Sequence, residues 1–445
     1  MAQWRNLRRN GWRNFDRNNS LNAPKKVAQL RPKRLAQLEP KWVAQLRPFY
    51  LVVLACANML AFSQSIDSIS NQHKNTADNL LLKDSKLVIG GYGEVHYNQQ
   101  MDGSTYNNGT LDVHRVVLLI GYNFNEKTQF VTELEYEHVA EVFVEQAFLQ
   151  YKLNIYLNFR GGLMLVPMGI INEYHEPTTF NGVERPLIDN YIAPTTWREI
   201  GFGVTGNILS ASIKYQVYVM NGFNGYDGEA HLSGKNGLRK GRQKGAESYI
   251  SSPNFSGKVE YYGIRGLNIG LSGYFGKTQS TLYDGVDKKD DTSIAMADSS
   301  VVGVSMLGLD ARYNLNGFQL RGQFYYASIS NAEQYNEFTA EGVGILNDLG
   351  SSMIGYYAEV GYNVLRTLKT EKQLVPFVRY EFLNTHNSVE RNISKNVGYE
   401  KNAITAGLTF TLTKGAVVKA DMQFVKSGGD DKYAKTLNLG IGVMF

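Results

Sequence analysis

TLNLGIGVMF, residues Thr436–Phe445, is the stretch that indicates the fold most directly. Large apolar side chains alternate strictly with small or polar ones along it, and its last residue is a phenylalanine. Successive side chains of a strand point to opposite faces, so one face of this segment is apolar and the other is not. Strict alternation ending on an aromatic residue is typical of the closing strand of an outer-membrane β-barrel, which has lipid outside and its lumen inside.

The composition of the 445-residue chain agrees with a sheet that is wet on one face. It contains 44 Gly, 28 Tyr and 21 Phe, with a mean hydropathy of -0.30. A bundle of membrane helices would need several runs of about twenty apolar residues. The longest apolar run, Phe49–Phe62, is shorter than that. A barrel is therefore favoured over a helical membrane protein.

The net charge of +5 suggests a nucleic-acid partner until the charges are located. Met1–Ser63 holds 12 of the 46 Lys and Arg and 2 of the 41 Asp and Glu, which leaves 34 and 39 downstream. The body of the chain is mildly acidic, so no nucleic-acid partner is predicted. The one cysteine, Cys56, also lies in this front region, which excludes disulfides and cysteine-based metal sites from the body.

The front of the chain has the architecture of a signal peptide. FYLVVLACANMLAF, Phe49–Phe62, follows Lys41 and Arg47 and precedes small and polar residues. An uncleaved anchor is the alternative. Upstream, VAQLRP, LAQLEP and VAQLRP repeat with a period of eight, and a proline ends each repeat. We predict a leader region at 1–64, a short periplasmic N-terminal segment at 65–86 and a β-barrel at 87–445.

Sixteen alternating segments follow the leader. They begin near Leu87, Leu111, Gln129, Val142, Ile155, Gly201, Ala211, Phe255, Leu267, Val304, Phe318, Met353, Leu374, Asn402, Val417 and Thr436. Short links join even to odd segments and long links join odd to even segments. Bacterial barrels show this parity because periplasmic turns are short and outer loops are long. The prediction is an all-β, transmembrane, antiparallel barrel of about sixteen strands around a water-filled interior, with both termini on the periplasmic side.

The loop after the fifth strand, Ile170–Ile200, is predicted to fold inward and narrow the lumen. Acidic and basic side chains from this loop and from the facing wall would create a transverse field that filters solutes by charge; ordinary mutually paired charges are the alternative. The predicted constriction residues from the loop are Glu173, Glu176, Glu184, Arg185, Asp189, Arg198 and Glu199. Those from the wall are Arg115, Glu133, Glu135 and Arg160.

A wet tube across a membrane implies passive diffusion of ions and small hydrophilic solutes. No G-x-S-x-G or H-E-x-x-H pattern accompanies any histidine, so we predict no enzyme, no cofactor and no metal site. An adhesion or binding barrel without an open pore is the alternative function. The run of five basic residues between Lys235 and Lys244 is interpreted as part of a solvated outer loop.

Three stretches carry a resemblance to a known family. They are VERPLIDNYIAPTTWREIGFGVTG at Val183–Gly206, LDVHRVV at Leu111–Val117, and Glu145-Gln146-Ala147-Phe148. With these stretches the chain resembles the phosphate-selective porin O and P family of Bacteroidetes-type bacteria. The resemblance implies a homotrimeric, sixteen-stranded outer-membrane porin in contact with lipid and lipopolysaccharide. Phosphate selectivity in that family rests on a lysine-rich channel, and the predicted constriction here is acidic, so that preference is not carried over.

Overall fold

The computed structural model describes residues 75–82, 85–103, 106–340, 342 and 345–445. The predicted leader region at 1–64, with its signal peptide and repeats, lies outside the described residues. So does most of the predicted segment 65–86. The boundaries of these two regions stay predictions.

Sixteen strands form the body of the described chain. Their bounds are β1 Leu87–Gln100, β2 Thr110–Asn123, β3 Thr128–Glu137, β4 Glu141–Lys152, β5 Asn158–Leu165, β6 Arg198–Ile208, β7 Ile213–Met220, β8 Asn254–Ile264, β9 Leu267–Lys277, β10 Gly303–Leu315, β11 Phe318–Ser330, β12 Ser352–Tyr362, β13 Gln373–Ser388, β14 Glu400–Thr413, β15 Ala416–Ser427 and β16 Ala434–Met444. Every predicted start lies within three residues of an observed one. The largest differences are Ile155 against Asn158 and Gly201 against Arg198.

Each strand pairs antiparallel with its neighbours in the chain, and the last strand pairs with the first. The closing register of β16 on β1 runs from Tyr92 opposite Met444 to Gln100 opposite Thr436. Closure matters because hydrocarbon offers no hydrogen-bond partner to the free edge of an open sheet. The predicted closed, sixteen-stranded antiparallel barrel is confirmed.

The alternation seen in the sequence separates the outer from the inner face. In β16, Leu439, Ile441 and Val443 are exposed on the outside, whereas the preceding Asn438 is fully buried on the inside. Two β-bulges shift the register between neighbouring strands. One lies between β1 and β2 at Glu94/Val95, and the other lies between β3 and β4 at Glu133/Leu134. The second shift places the adjacent residues Glu145 and Gln146 of β4 both on the buried inner face.

The connections divide the barrel into two ends. Even strands join the following odd strands at one end, called here the turn end, by links of two to five residues, except for the ten-residue link 363–372. The long connections 166–197, 221–253, 278–302 and 331–351 lie at the other end, called here the loop end. The β3–β4 link, 138–140, is a short connection at the loop end.

Small elements complete the described fold. The helices are α1 Thr76–Leu81, α2 Ile188–Tyr191, α3 Asp291–Ser299 and α4 Ala332–Phe338. Two short strands, Asn224–Tyr226 and Gln279–Ser280, pair in parallel between loops. The 3-10 turns are Leu209–Ala211, Arg239–Gly241, Thr281–Tyr283 and Val397–Tyr399. Among the described residues, no helix combines the length and the apolar character needed to cross a membrane.

Helix α1 packs against the inner face of the barrel at the turn end. Asn75 caps it by accepting a hydrogen bond from the Asp78 backbone, and Leu80 is buried. Asp78 forms ion pairs with Lys214 at 2.5 Å and with Arg160 at 3.5 Å. Residues 75–82 of the predicted short periplasmic segment therefore pack inside the barrel at the turn end. Long-range pairing with wall residues that the local sequence does not reveal holds this helix in the barrel.

Gly162 in β5 provides a test of the wall. Its φ is +134°, and a Cβ there would lie 2.3 Å from the carbonyl oxygen of Ala147 in β4. We expect Gly162→Ala to lower the free energy of unfolding by about 2 kcal/mol, because the strained backbone and the clash act together. The measurement is the temperature at which the folded band converts to the unfolded one in SDS gels. Gly322→Ala in β11, where the nearest atom is 3.5 Å away, is the matched control and should leave that temperature unchanged.

Candidate functional site

Residues 166–197, called here the inward loop, enter the lumen and cross it. The backbone N–H of Ile170 donates to Gln323 Oε1 at 2.6 Å, and that of Val183 donates to Asp421 Oδ2 at 2.7 Å. Gln323 and Asp421 belong to β11 and β15, which lie across the barrel from β5. The predicted inward fold of this loop is thus observed.

An asparagine closes the base of the inward loop. Asn172 Nδ2 donates to the carbonyl oxygens of Val166 at 2.7 Å and Trp197 at 2.9 Å, and its Oδ1 accepts from the Trp197 backbone at 2.9 Å. The buried ring of Trp197 stacks on Phe223 with centroids 4.4 Å apart. The indole donates to Glu199 Oε1 at 2.8 Å.

Two of the residues predicted to line the constriction therefore lie outside the inward loop. Arg198 and Glu199 are the first residues of β6 and do not belong to the inward loop. Glu199 accepts from Trp197 and, at 2.7 Å, from the backbone of Gly222. It anchors the base of the loop. The predicted loop boundary at Ile200 was three residues too long because the strand begins within the motif TTWREI.

Arg115 is the centre of one buried charge network, on the side of β1–β3. Its Nε lies 2.6 Å from Glu94 Oε1 and its Nη1 lies 3.5 Å from Glu135 Oε1. Its Nη2 donates to the backbone carbonyl of His175 in the inward loop at 2.7 Å. Arg185 of the inward loop reaches the same Glu94 oxygen at 3.4 Å. This network ties the inward loop to the wall.

Arg379 in β13 ties the inward loop to the opposite wall in the same way. It lies 2.7 Å from Glu381 and 3.6 Å from Glu359, and it donates to the backbone carbonyl of Glu184 at 3.0 Å. Asn181 of the inward loop donates to Glu359 at 3.0 Å. A basic residue with a carboxylate on either side therefore holds the inward loop from both walls.

Lys258 in β8 provides a third attachment. Its Nζ lies 2.8 Å from Glu173 and 3.3 Å from Asp310, and it donates to the carbonyl of Gly169 at 2.6 Å. Burial would raise the pKa of Glu173, but the charges of Lys258 and Lys214 and the hydrogen bonds from Lys258 and Gln216 together lower it. Glu173 is thus held as a carboxylate by its partner on the wall.

The lumen at the height of the inward loop is packed, which differs from the expected water-filled interior. Arg115 is 0% exposed, Arg379 1% and Lys258 3%. The predicted transverse field assumes acids and bases that face each other across an open gap. The structure instead joins them directly, because the loop places carboxylates and backbone carbonyls within reach of wall cations. The constriction assignment itself stays a prediction.

The remaining acidic residues of the inward loop lie in different environments. Glu176 and Asp189 are buried. Burial raises the pKa of Asp189 well above its ordinary value, and its Oδ1 accepts from Gln323 at 2.7 Å. Glu184 is the exception, with 39% of its side chain exposed. It accepts from Asn98 at 2.9 Å and lies 3.5 Å from His96.

Arg160 faces the turn end rather than the inward loop, which corrects its predicted place in the constriction. It donates to Gln150 at 2.7 Å and pairs with Asp78 of α1. It lines a cavity of about 570 Å³ together with Lys214 and Gln216. Helix α1 accounts for the difference, since it supplies the carboxylate that holds Arg160 at this end.

The basic run between Lys235 and Lys244 is ordered against the inward loop, so its interpretation as solvated decoration is wrong. Leu238 is fully buried, and its backbone donates to Tyr191 at 2.9 Å. Arg242 donates to the carbonyl of Thr195 and, at 2.9 Å, to Thr196 Oγ1. Burial, with Arg239 and Arg198 nearby, lowers the pKa of Arg242 to about 9.

Several site residues escaped the sequence analysis. Arg379, Glu381, Glu359 and Lys258 sit at inward positions of strands whose alternation was recognised, so their direction was predictable but their partners were not. Two groups of the described residues have metal-ligand spacing: Asp112, His114 and His138 at the loop end, and Glu133, Glu145 and His175 in the interior. Of the second group, Glu133 accepts from Tyr92 and from Gln146.

Lys258 allows a test of the attachment. We expect Lys258→Met to lower the free energy of unfolding by about 3 kcal/mol, because it leaves the carboxylates of Glu173 and Asp310 buried without their cation. Urea unfolding followed by the fluorescence of Trp197, the only tryptophan after the leader, measures the change. Lys127→Met, on an exposed turn, is the control. Equal stability of both variants would show that the attachment contributes little.

Comparisons with known proteins place this fold. No protein-family model matches the chain. Among solved structures, OmpF of Salmonella typhi in complex with daunomycin is 12% identical, with a TM-score of 0.51 over 81% of this chain and 97% of that chain. The anion-selective porin from Comamonas acidovorans is also 12% identical, with a TM-score of 0.51 over 81% of this chain and 99% of that chain. These likenesses show the fold, which is that of outer-membrane porins.

A closer relative is found in sequence. An "Uncharacterized protein" of Aquifex aeolicus (strain VF5) is 32% identical over 357 residues, which are 78% of this chain and 77% of that protein. At this identity and coverage, the chain belongs to the same protein family as the Aquifex aeolicus protein.

Proposed function

We propose that the protein is an outer-membrane channel for passive diffusion of ions and small hydrophilic solutes, and that the inward loop is its barrier. One observation carries the proposal. A closed barrel with an apolar outside is divided by one loop, and polar contacts hold that loop to the wall. Apolar side chains of the loop, among them Ile188, Ile192 and Trp197, also pack in the buried core with wall residues. The charged and amide groups, however, can exchange their partners for water at low net cost.

Solvent-facing space approaches the inward loop from both ends. At the turn end, the cavity of about 570 Å³ extends to Gln216, which itself donates to Glu173 of the inward loop at 2.5 Å. At the other side of the loop, the Glu184 side chain is partly exposed. A displacement of the inward loop would therefore join the two sides.

The alternative, a binding barrel without an open pore, also has an observation in its favour. Arg115, Arg379 and Lys258 are almost completely buried against the inward loop. Breaking such pairs without hydration is costly, about 3 to 5 kcal/mol for each. A loop that never leaves this position would make the barrel a scaffold for its outer loops. Conductance separates the two functions.

Location and assembly follow from the same proposal. The apolar outer face suits the lipid and lipopolysaccharide of a Gram-negative outer membrane, and the predicted signal peptide would export the chain. The likeness of the fold to the two solved outer-membrane porins supports this location. The resemblance to the phosphate-selective porin O and P family supports a homotrimer. A phosphate preference is not part of the proposal.

A disulfide between the inward loop and the wall tests the barrier. A Cβ at Gly440 in β16 would lie 3.6 Å from the Cβ of Val183, a separation that suits a disulfide. With Cys56→Ala as background, we expect Val183→Cys with Gly440→Cys to show stepwise currents in planar bilayers when reduced. The currents should fall severalfold on oxidation, because the loop is then fixed, and return with a reductant. Single Val183→Cys is the control.

Two results would contradict the proposal. A folded wild-type chain that is silent in bilayers would favour the binding barrel. Equal currents from the oxidised and reduced double variant would show that solutes pass without movement of the inward loop.

The charge preference of the channel is tested at Glu184. Burial would raise the pKa of Glu184, but the hydrogen bonds from His96 and Asn98 and the charges of His96 and His114 together lower it below the ordinary 4.5. We expect a weak cation preference, measured as the reversal potential in a KCl gradient, that persists on acidification to about pH 4.5 and is lost below it. Glu184→Gln should remove the preference at neutral pH, and Glu126→Gln, on an exposed turn, should not. Strong anion selectivity of the wild type would refute this.

A further inference from the structure

Where the inward loop meets the first four strands, four polar side chains converge in a fully buried cluster. They are His175 of the inward loop, Tyr92 of β1, Glu133 of β3 and Glu145 of β4. We propose that this cluster binds one divalent transition-metal ion, for which Zn²⁺ is the suitable probe. Imidazole nitrogen with carboxylate oxygens is a common ligand set for this ion.

The distances between the four side chains suit a tetrahedral site. Tyr92 Oη lies 2.9 Å from His175 Nε2, 2.8 Å from Glu133 Oε1 and 3.4 Å from Glu145 Oε2. His175 Nε2 lies 3.7 Å from Glu133 Oε1 and 3.5 Å from Glu145 Oε2. Ligands at zinc-bond lengths occupy the corners of a tetrahedron whose edges are about 3.3 Å. The measured separations scatter around that value.

The orientation of His175 is also that of a ligand. Its Nδ1 lies 3.1 Å from the carbonyl oxygen of Asn172, which accepts only, so Nδ1 carries a proton and donates it. Its Nε2 therefore faces Tyr92 and the two carboxylates. A backbone carbonyl that fixes one ring nitrogen while the other meets the metal is the usual arrangement of metal-binding histidines.

The hydrogen bonds of the cluster leave excess negative charge at its centre. The single hydroxyl proton of Tyr92 is directed to Glu133, the closer of the two acceptor carboxylates. Within the described chain, the imidazole of His175 is the only basic group within 4.0 Å of Glu133 or Glu145. One imidazolium thus faces two carboxylates, and Glu145 Oε1 is buried without a hydrogen-bond partner among the described residues. A divalent ion would balance both carboxylates.

Binding replaces a proton by the metal. Zn²⁺ would take the Nε2 lone pair of His175, whose proton goes to solvent, and one oxygen each of Glu133 and Glu145, with Tyr92 Oη as the fourth ligand. The only bond broken is the Nε2–H bond of His175, because Tyr92 binds as the neutral phenol and keeps its hydroxyl proton. The metal would fasten the inward loop to three strands at once. This inference concerns binding and does not depend on whether the barrel conducts.

The test uses the full-length chain, purified in detergent without a histidine tag. The protein is stripped with EDTA, incubated with ZnSO₄ and desalted. Bound zinc is counted by mass spectrometry, and a chelating dye provides the affinity. We expect one tightly held Zn²⁺ and a higher unfolding temperature. Glu145→Gln, close in shape to the native residue, should weaken zinc binding at least about 100-fold and abolish the temperature rise.

The exposed group Asp112, His114 and His138 supplies the control, because its ligands also attract zinc. The double variant His114→Ala with His138→Ala should keep the tight site. A wild-type chain that holds no zinc would overturn the proposal. So would unchanged affinity in Glu145→Gln, or loss of the tight site in the double variant. Tyr92→Phe provides a second interior variant should Glu145→Gln fail to fold.

Discussion

The whole molecule depends on the fact that hydrocarbon supplies no hydrogen-bond partner to a peptide group. Sixteen strands satisfy their backbone groups only because β16 pairs with β1 and no edge remains. Closure fixes two surfaces of opposite character, and it also creates an enclosed lumen whose polar lining has to be satisfied by water or by protein. In this chain protein satisfies much of that lining, through the inward loop and α1.

The inward loop shows how such a lining is satisfied. Arg115, Arg379 and Lys258 each contact wall carboxylates and also a backbone carbonyl of the loop. The wall carboxylates are thus arranged around basic residues, and the loop adds a backbone carbonyl to each of these groups. Buried networks of this kind lock one arrangement more than they add stability, since desolvation offsets much of the attraction between the charges. They suit a segment that holds one position, and buried apolar side chains of the loop such as Ile188 and Trp197 also hold it there.

The fold was predictable because its determinants are local. Alternation with period two and the parity of short and long links gave sixteen strands with starts within three residues of those observed. The inward fold of the loop was predictable from its position after the fifth strand of a sixteen-stranded barrel, although its predicted bounds, 170–200, differ from the observed 166–197. The partners within the lumen were not, because pairs such as Lys258 with Glu173 or Asp78 with Arg160 join residues far apart in the chain. The bulges at Glu94 and Glu133 also shift the register in a way that simple alternation does not reveal.

The seam between the first and the last strand has a consequence for biogenesis. Gly91 and Phe445 exchange two backbone hydrogen bonds, at 3.0 and 2.9 Å, across a separation of more than three hundred residues in the chain. β1 pairs along one edge with β2, its neighbour in the chain, but its other edge pairs only with β16, more than three hundred residues away. Until β16 pairs, the sheet has two unpaired edges that could pair with another chain, so closure of the barrel also removes a site of aggregation.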